Sequence, residues 1–352
     1  MKTKYDSFNS GGLPEGCKYC LRGEKLVLFM TGKCPRNCWY CSLSSTRKKC
    51  KNIYANERLV KNTKDLILEA EESNAKGAGI TGGDPLVEYR KTKSYSQALK
   101  KRFGESFHIH IYLPLNLVDK NKIEQLSHSV DEFRFHPSFL INDNLELMNE
   151  EIEKIKMVCS VVGKDRMGLE LPMMPNRQEI MHHFIEKVHK YISFVNLNEF
   201  ELSETNFEIV TKNYTLNEDT YTIRTSLTQG KKLLKRLAKD KFDIKIHLCT
   251  ARTKDAHQYV NRMKLHNILP YGKMTNVGTV VYYIVVPTIS LETEEYIVSE
   301  ITSRYCIDKE KKRIIVNKKD VRKLYMESDL KLARVEEHPC YNSNYLEIDY
   351  LN

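Results

Sequence analysis

The chain has 352 residues, and Lys and Arg exceed Asp and Glu by ten. This length suffices for one large core with a smaller unit, or for two ordinary domains. No run of about 18 apolar residues occurs, so we expect no membrane partner, and the start, MKTKYDSFNSGG, lacks the apolar core of a signal peptide. We therefore expect a cytoplasmic protein, in which clustered cysteines bind metal more often than they pair. The excess of positive charge is compatible with an anionic partner such as RNA. The alternative is that the lysines are spread over solvent-exposed faces and bind nothing.

Short apolar or β-branched runs, separated by segments of helical periodicity, cover the first 250 residues. Strands that alternate with helices indicate parallel βαβ units. The predicted strands are 26–31, 77–81, 108–112, 131–135, 168–171, 194–197 and 245–249. The predicted helices between them are 64–75, 95–103, 120–127, 145–156, 177–191 and 230–240.

The sequence changes character after one further predicted helix at 254–264. Two β-rich runs follow, at 279–286 and 313–316, with helical segments at 293–305 and 319–325. This mixture predicts a small α+β domain. We expect three regions, an N-terminal segment at 1–24, an α/β barrel at 25–265 and the α+β domain at 266–352.

Three cysteines with the spacing C-x3-C-x2-C follow the first predicted strand, at Cys34, Cys38 and Cys41. Thiolates are soft ligands that select zinc, copper(I) or iron–sulfur clusters. A closed zinc site needs four ligands, usually as two pairs. Three unevenly spaced thiolates favour a four-iron cluster in which one iron stays open to a substrate or cofactor.

This loop, with Tyr40 before its last cysteine, resembles the signature of the radical S-adenosylmethionine (radical SAM) superfamily. The resemblance implies that Cys34, Cys38 and Cys41 bind a [4Fe–4S] cluster whose fourth iron chelates SAM. It implies a partial TIM-like (β/α)6 barrel and reductive cleavage of SAM to a 5′-deoxyadenosyl radical that abstracts a hydrogen atom. An external electron donor would supply the reducing electron.

The second predicted strand ends in Gly82-Gly83-Asp84-Pro85. In parallel barrels the chemistry gathers at the carboxyl ends of strands. Glycines let the backbone approach a ligand closely, and an acid beside them can bind an ammonium group. The run resembles the GGE-P motif of the superfamily, with Asp84 in place of Glu. The resemblance therefore implies that Gly82, Gly83 and Asp84 line the SAM site; the alternative is a surface turn.

The next three predicted strands carry polar residues on one face. His110 and Tyr112 are candidates for contacts with SAM or substrate, and Arg134 for the SAM carboxylate, because a guanidinium matches carboxylate geometry. Glu170 is a candidate acceptor for the ribose hydroxyls. The alternative for each residue is a core polar group satisfied by the protein. The sequence does not identify a catalytic side chain.

A second set of cysteines comprises the C-x2-C pair Cys17 and Cys20, together with Cys249 at the end of the seventh predicted strand. If the N-terminal segment crosses the top of the barrel, the three thiols meet there. They would then hold an auxiliary iron–sulfur cluster or a zinc ion, with His247, His257 or a substrate atom as fourth ligand. The alternative is a set of reduced, unliganded thiols.

The motifs follow one another in the same order as in an archaeal group of proteins related to pyruvate formate-lyase activating enzyme. This resemblance covers residues 16–260. The order runs from the C-x2-C pair through the cysteine loop and the YANER segment at 54–58 to GITGGDPL at 79–86. The substrate alternatives are tRNA, a protein and a small molecule, and the positive charge favours RNA. A non-enzymatic alternative is a zinc-dependent nucleic-acid-binding module.

Overall fold

A computed structural model of the chain describes residues 1–141, 144–218 and 220–351. Asn352, the last residue of the predicted α+β domain, lies outside the described residues. The chain forms two compact units, residues 1–71 with 75–258 and residues 72–74 with 259–352. No helix among the described residues combines the length and apolar composition needed to cross a membrane.

The first unit is built on one ten-stranded sheet. Its strands are β1 (Phe8–Ser10), β2 (Lys25–Phe29), β3 (Ile53–Ala55), β4 (Arg58–Val60), β5 (Gly77–Thr81), β6 (His108–Pro114), β7 (Glu132–His136), β8 (Met167–Met173), β9 (Phe194–Glu199) and β10 (Lys245–Cys249). Seven of them, β2 and β5 to β10, are parallel and adjacent in chain order. The antiparallel strand β1 borders β10, and the β3–β4 hairpin borders β2.

The helices that connect the parallel strands cover one face of the sheet. They are α2 (Thr63–Glu72), α3 (Tyr89–Phe103), α4 (Lys120–Leu126), α5 (Leu145–Val162), α6 (Gln178–Val188), α7 (Phe207–Asn213) and α8 (Ser226–Lys239). A further helix, α1 (Glu15–Leu21), precedes β2. Alternate strand residues such as Phe133 and Phe135 belong to the apolar core on the helix side. Their neighbours Glu132 and Arg134 are also buried, on the opposite, interior face. The sheet therefore has an apolar outer layer and a polar interior.

The predicted fold class is confirmed: the first unit is a parallel α/β partial barrel. All seven predicted strands are present, and β5 and β10 have the predicted bounds. The helix α1, the β3–β4 hairpin and the helix α7 had not been predicted. They are three to seven residues long, too short for a periodic pattern to stand out.

The N-terminal segment takes a different path from the one predicted. Tyr19 of α1 stacks on His108, the first residue of β6, at a ring distance of 5.4 Å, and the Gly16 amide donates to Glu132, the first residue of β7, at 3.1 Å. The helix α1 thus lies at the amino ends of the strands. A Cβ on Gly16 would lie 2.6 Å from Nδ1 of His110 and 2.8 Å from the Arg134 guanidinium. The missing side chain is what lets α1 pack against the polar interior.

The second unit contains an antiparallel sheet with two helices against one face. Its elements are α9 (Val260–Leu265), β11 (Lys273–Met274), β12 (Val280–Val285), α10 (Leu291–Ile301), β13 (Tyr305–Asp308), β14 (Arg313–Val316), α11 (Val321–Glu327), β15 (Leu332–Glu337) and β16 (Tyr345–Tyr350). The main sheet order is β13-β14-β12-β15-β16, and β11 pairs with β12. Arg313 is buried between Asp308 and Glu337, at 2.8 and 2.7 Å.

Candidate cofactor site

The cysteine loop begins where β2 ends and is held by side chains from the segment that follows β9. Ser203 and Thr205 donate hydroxyl hydrogen bonds to the Cys41 carbonyl at 3.3 and 3.0 Å. The Asn206 amide donates to the Tyr40 carbonyl at 3.3 Å. These contacts fix the path of the backbone at the last cysteine of the motif.

Arg36, between the first two cysteines, anchors the same loop on its other side. Its guanidinium donates to the Glu151 carboxylate of α5 at 2.6 Å, and both side chains are buried. It also donates to the His136 carbonyl and to the Asn116 side chain. The Arg36 amide donates to Sγ of Cys34 at 3.4 Å. One arginine therefore ties the loop to the ends of two strands and to a helix.

The glycine–aspartate turn after β5 is in direct contact with the start of the cysteine loop. The Gly83 amide donates to the Thr31 carbonyl at 2.7 Å, and the Asp84 amide to the Lys33 carbonyl at 2.9 Å. A Cβ on Gly83 would lie 2.3 Å from the Lys33 oxygen. Gly82 has φ +140°, and its Cβ would lie 2.4 Å from the Thr31 oxygen. Both positions therefore require glycine.

Asp84 is completely buried, and only one of its carboxylate oxygens is satisfied by the protein. Oδ1 accepts from the Leu86 amide at 2.9 Å, whereas Oδ2 is buried and has no hydrogen-bond partner among the described residues. Burial raises the pKa of Asp84 to about 6. A buried carboxylate with a free oxygen is costly unless a cation or donor meets it, so this oxygen suits a ligand ammonium group.

The three thiols of the motif lie in partly buried surroundings. Burial raises the pKa of Cys34 and raises that of Cys38 to about 11. Metal ligation replaces the thiol proton, so these groups become thiolates on binding a metal. The three sulfurs do not all lie within 4.8 Å of one another. A zinc ion with Zn–S distances of about 2.3 Å would need sulfurs about 3.8 Å apart, so the three sulfurs are not positioned here for a single zinc ion.

The two charged interior residues predicted to contact SAM already have protein partners. Arg134 pairs with Glu132 at 2.5 Å and with Glu170 at 3.1 Å. The other Glu170 oxygen accepts from Asn196 at 2.5 Å and Asn198 at 2.7 Å. The contacts thus favour the alternative of core polar groups satisfied by the protein, and SAM-binding roles for Arg134 and Glu170 stay predictions.

His110 and Tyr112 lie beside the helix α1. His110 is buried, and Tyr112 meets it edge-on with ring centroids 5.1 Å apart. Nδ1 of His110 is buried and has no hydrogen-bond partner among the described residues, and burial lowers the pKa of the imidazole. These residues line the interior near the amino ends of the strands, whereas the glycine–aspartate turn is at the carboxyl ends.

The second set of cysteines is not arranged as a mononuclear metal site. Cys17 is buried between the Arg134 guanidinium, which donates at 3.3 Å, and the Asn196 side chain at 3.9 Å. Gln258 donates to Sγ of Cys249 at 3.4 Å. Cys17, Cys20 and Cys249 do not all lie within 4.8 Å of one another, which is too wide for zinc. A second metal centre at these residues stays a prediction.

Several site contacts carry no signal in the sequence. The Tyr40 hydroxyl and Nε2 of His136 lie 2.8 Å apart, which joins the motif to β7. Beyond Cys249, residues 253–259 form a π-helix, in which Lys254 pairs with Glu201 at 2.7 Å. π-Helical turns are frequent at functional sites. None of these pairs shares a local motif, so only the fold identifies them.

Comparison with known proteins assigns the family. The model of the radical SAM superfamily matches residues 28–164. A protein of Methanocaldococcus jannaschii, provisionally named a glycyl-radical enzyme activating enzyme, is 35% identical over 285 residues, which cover 78% of this chain and 74% of the relative. The chain belongs to the radical SAM superfamily. This radical SAM enzyme therefore uses a [4Fe–4S] cluster and SAM, and the zinc-dependent binding module without radical chemistry is excluded.

Two solved structures of a radical SAM enzyme have low overall similarity to the chain. Both are the radical S-adenosylmethionine methyltransferase TsrM from Kitasatospora setae, one with tryptophan and a SAM analogue and one with cobalamin and a [4Fe–4S] cluster. Each is 12% identical, with a TM-score of 0.37 over 58% of this chain. The chain spans less than half their length, at 42% and 43%.

Proposed function

We propose that Cys34, Cys38 and Cys41 hold the catalytic [4Fe–4S] cluster of this radical SAM enzyme, and that Gly82, Gly83 and Asp84 form the binding site for the SAM amino group. The observation that carries this proposal is the buried, unpartnered Oδ2 of Asp84, on a turn whose amides bond to residues 31 and 33 just before Cys34. A SAM ammonium group would satisfy that oxygen.

When bound, the cluster and SAM supply one-electron cleavage of SAM to a 5′-deoxyadenosyl radical, which abstracts a hydrogen atom from the substrate. The protein residues hold and orient these groups. Arg36 and Thr205 fix the cysteine loop from two sides, and Gly83 allows the glycine–aspartate turn to approach it. Burial strengthens the interaction of Asp84 with an ammonium group, because the local dielectric is low.

Anaerobic reconstitution tests this assignment directly. We expect a [4Fe–4S] absorption and EPR spectrum that changes when SAM is added, and release of 5′-deoxyadenosine under dithionite. Cys34→Ala should abolish the SAM-responsive part of the spectrum and the release of 5′-deoxyadenosine, and Cys159→Ala, at an isolated cysteine of α5, serves as the matched control. A Cys34→Ala protein that keeps the SAM-responsive cluster would overturn the ligand assignment.

We infer that the substrate is a glycyl residue of a protein, because the Methanocaldococcus jannaschii relative carries the name of a glycyl-radical enzyme activating enzyme. Modification of tRNA and of a small molecule are the alternatives from the sequence. Comparison of a deletion strain with its parent separates them. A glycyl-radical EPR doublet lost from anaerobic deletion cells supports the protein substrate, whereas one missing tRNA nucleoside or metabolite contradicts it.

We further propose an archaeal, cytoplasmic enzyme in which Cys17, Cys20 and Cys249 hold a polynuclear iron–sulfur centre. The three sulfurs do not all lie within 4.8 Å of one another, so they are not positioned for a single zinc ion. The motif order within residues 16–260 supports the archaeal group, and clustered cysteines are typical of the reducing cytoplasm. Metal analysis of anaerobically purified protein tests the second centre: iron in excess of one cluster supports it, and stoichiometric zinc contradicts it.

A further inference from the structure

A strongly basic loop lies next to the cysteine motif. Residues 31–56 contain six Lys and Arg residues and no Asp or Glu. Four of the six form the basic loop, residues 47–51 (RKKCK): Arg47, Lys48, Lys49 and Lys51. Lys49 and Lys51 are exposed, and Lys48 is half-buried. The charges are thus concentrated in one short, accessible segment.

Backbone hydrogen bonds join the basic loop to the start of the cysteine motif. The Gly32 amide donates to the Cys50 carbonyl at 2.7 Å, and the Lys49 amide donates to the Gly32 carbonyl at 3.1 Å. A Cβ on Gly32 would lie 1.8 Å from the Arg47 oxygen. Cys34 is two residues after Gly32, so their Cα atoms are at most about 7.6 Å apart. The basic loop therefore lies beside the start of the segment that carries the proposed cluster ligand.

The lysines of this loop are not neutralised by the protein. Lys48, Lys49 and Lys51 form no ion pair in the part of the chain that the structure describes. In contrast, Arg36 is paired with the buried Glu151, and Arg47 is held over the Tyr54 ring at 3.4 Å. Three ammonium groups without an ion pair, next to the proposed cluster ligands, form a positive surface whose field extends about 8–10 Å at ordinary ionic strength.

We propose that the basic loop is the docking surface for an acidic protein that donates the electron to the cluster. This rests on the proposed cluster ligands Cys34, Cys38 and Cys41. One electron passes from the reduced donor protein to the oxidised [4Fe–4S] cluster; no bond forms or breaks, and no proton moves. Lys48, Lys49 and Lys51 meet carboxylates of the donor, which places its redox group close to the cysteine motif.

The same charge could attract RNA, but the contacts favour a protein. Proteins that bind single-stranded RNA offer aromatic side chains on which bases stack. The basic loop contains no aromatic residue, and the Tyr54 ring beside it is covered by Arg47. Surface lysines alone match acidic carboxylates, and such complementarity raises association rates by about 10- to 1,000-fold at low salt.

Charge reversal tests the proposal on the cluster-loaded protein. The triple variant Lys48→Glu, Lys49→Glu, Lys51→Glu is compared with Lys232→Glu, Lys235→Glu, Lys239→Glu, which makes the same charge change on exposed residues of α8. The probe is a photoreduced acidic ferredoxin. We expect the loop variant alone to lower the second-order rate of cluster reduction at least about tenfold at low salt, and to flatten its salt dependence. Binding of the oxidised ferredoxin should weaken in parallel.

Dithionite separates this proposal from the proposed function. All variants should release 5′-deoxyadenosine with dithionite at the parental rate; failure of the parent protein to do so contradicts the cluster assignment instead. If the Glu variant loses iron, the neutral variant Lys48→Gln, Lys49→Gln, Lys51→Gln is used in its place. A flatter salt dependence of its reduction rate by ferredoxin than in the parent would support the docking surface. Equal slowing of cluster reduction in the α8 control would contradict the docking surface. So would a loop variant that is reduced by ferredoxin at the parental rate but no longer binds tRNA in a filter assay.

Discussion

The guanidinium of Arg36 and the carboxylate of Glu151 lie 2.6 Å apart with both side chains buried, and this pair connects the cysteine loop to the helix α5. Glu151 also accepts from the Ser138 amide, at 2.8 and 3.0 Å from its two oxygens. The carboxylate thus joins the loop to the segment after β7. Such a pair leaves an uncompensated buried charge when one partner is removed.

Arg36→Met is expected to destabilise the first unit by about 3–5 kcal/mol and to lower iron retention, because Glu151 is left without its cation. Urea unfolding and iron content after anaerobic reconstitution measure both effects. In the double variant Arg36→Met, Glu151→Leu, much of the lost stability should return. Full additivity of the two single changes would contradict direct coupling.

Asp84→Asn is expected to weaken SAM binding at least about tenfold, since a charge-assisted hydrogen bond to the ammonium group is replaced by a neutral one. The pKa of Asp84 is raised to about 6, so SAM affinity of the parent should fall as the pH drops below about 6. The raised pKa also means that Asp84 favours the folded state below about pH 4, and that this contribution is lost as the pH rises through about 6.

Isothermal titration with SAM between pH 5 and pH 8 on the cluster-loaded protein checks the Asp84 prediction. In the Asp84→Asn variant the same titration should be nearly flat across that range. A variant that retains the acid-side loss of affinity would assign the titration to another group.

Gly83→Ala is expected to lower both iron content and SAM affinity, because the new Cβ would lie 2.3 Å from the Lys33 oxygen and would push the turn from the cysteine loop. Gly163→Ala is the matched control: its φ of +82° makes alanine strained, but no atom lies within 4 Å of its Cβ. The control should lose about 1 kcal/mol of stability and keep its cluster. Equal iron content in both variants would count against close approach at Gly83.

Cys17→Ala and Cys249→Ala are expected to lose the iron that exceeds one cluster while keeping 5′-deoxyadenosine release with dithionite. Iron counting and EPR of the reduced proteins measure the change, with Cys159→Ala as the control. Unchanged iron and unchanged spectra in both variants would remove the second centre.

Arg313→Met is expected to destabilise the second unit by about 3 kcal/mol, because buried Asp308 loses its cation while Glu337 keeps Lys311 at 2.7 Å. Hydrogen exchange of β14 and β15 should report the loss. Arg322→Met, at an exposed position of α11, should change exchange little. Unchanged exchange in the Arg313 variant would show that this network does not stabilise the unit.

Local patterns sufficed for much of the fold. Some strands of the barrel were predictable because apolar residues such as Phe133 and Phe135 alternate with polar ones, a period that the strand backbone fixes. Others, such as β2, were predictable as short apolar runs. The path of α1 could not be predicted. It depends on Gly16 meeting His110, about 90 residues away, at a distance that only a residue without a side chain permits.

In the candidate site, too, some residues could be predicted from the sequence and others could not. Cys34, Asp84 and their spacing carry their chemistry in short motifs, so the sequence sufficed to propose them. The partners of Arg134 and Glu170 did not follow from sequence, because charge pairing across neighbouring strands depends on register. Arg134 and Glu170, predicted as ligand contacts, have protein partners, and Arg36 anchors the cysteine loop although no motif indicated it.

The position of α1 has a consequence for any attempt to define a minimal catalytic fragment. The family match begins at residue 28, yet the amide of Gly16 and the thiol of Cys17 contact Glu132 and Arg134 inside the barrel. A fragment that starts at the match would expose these buried charges to water from the amino side. The helix α1 covers the amino ends of these strands, so removing it would open the interior to water on the side opposite the proposed cluster site.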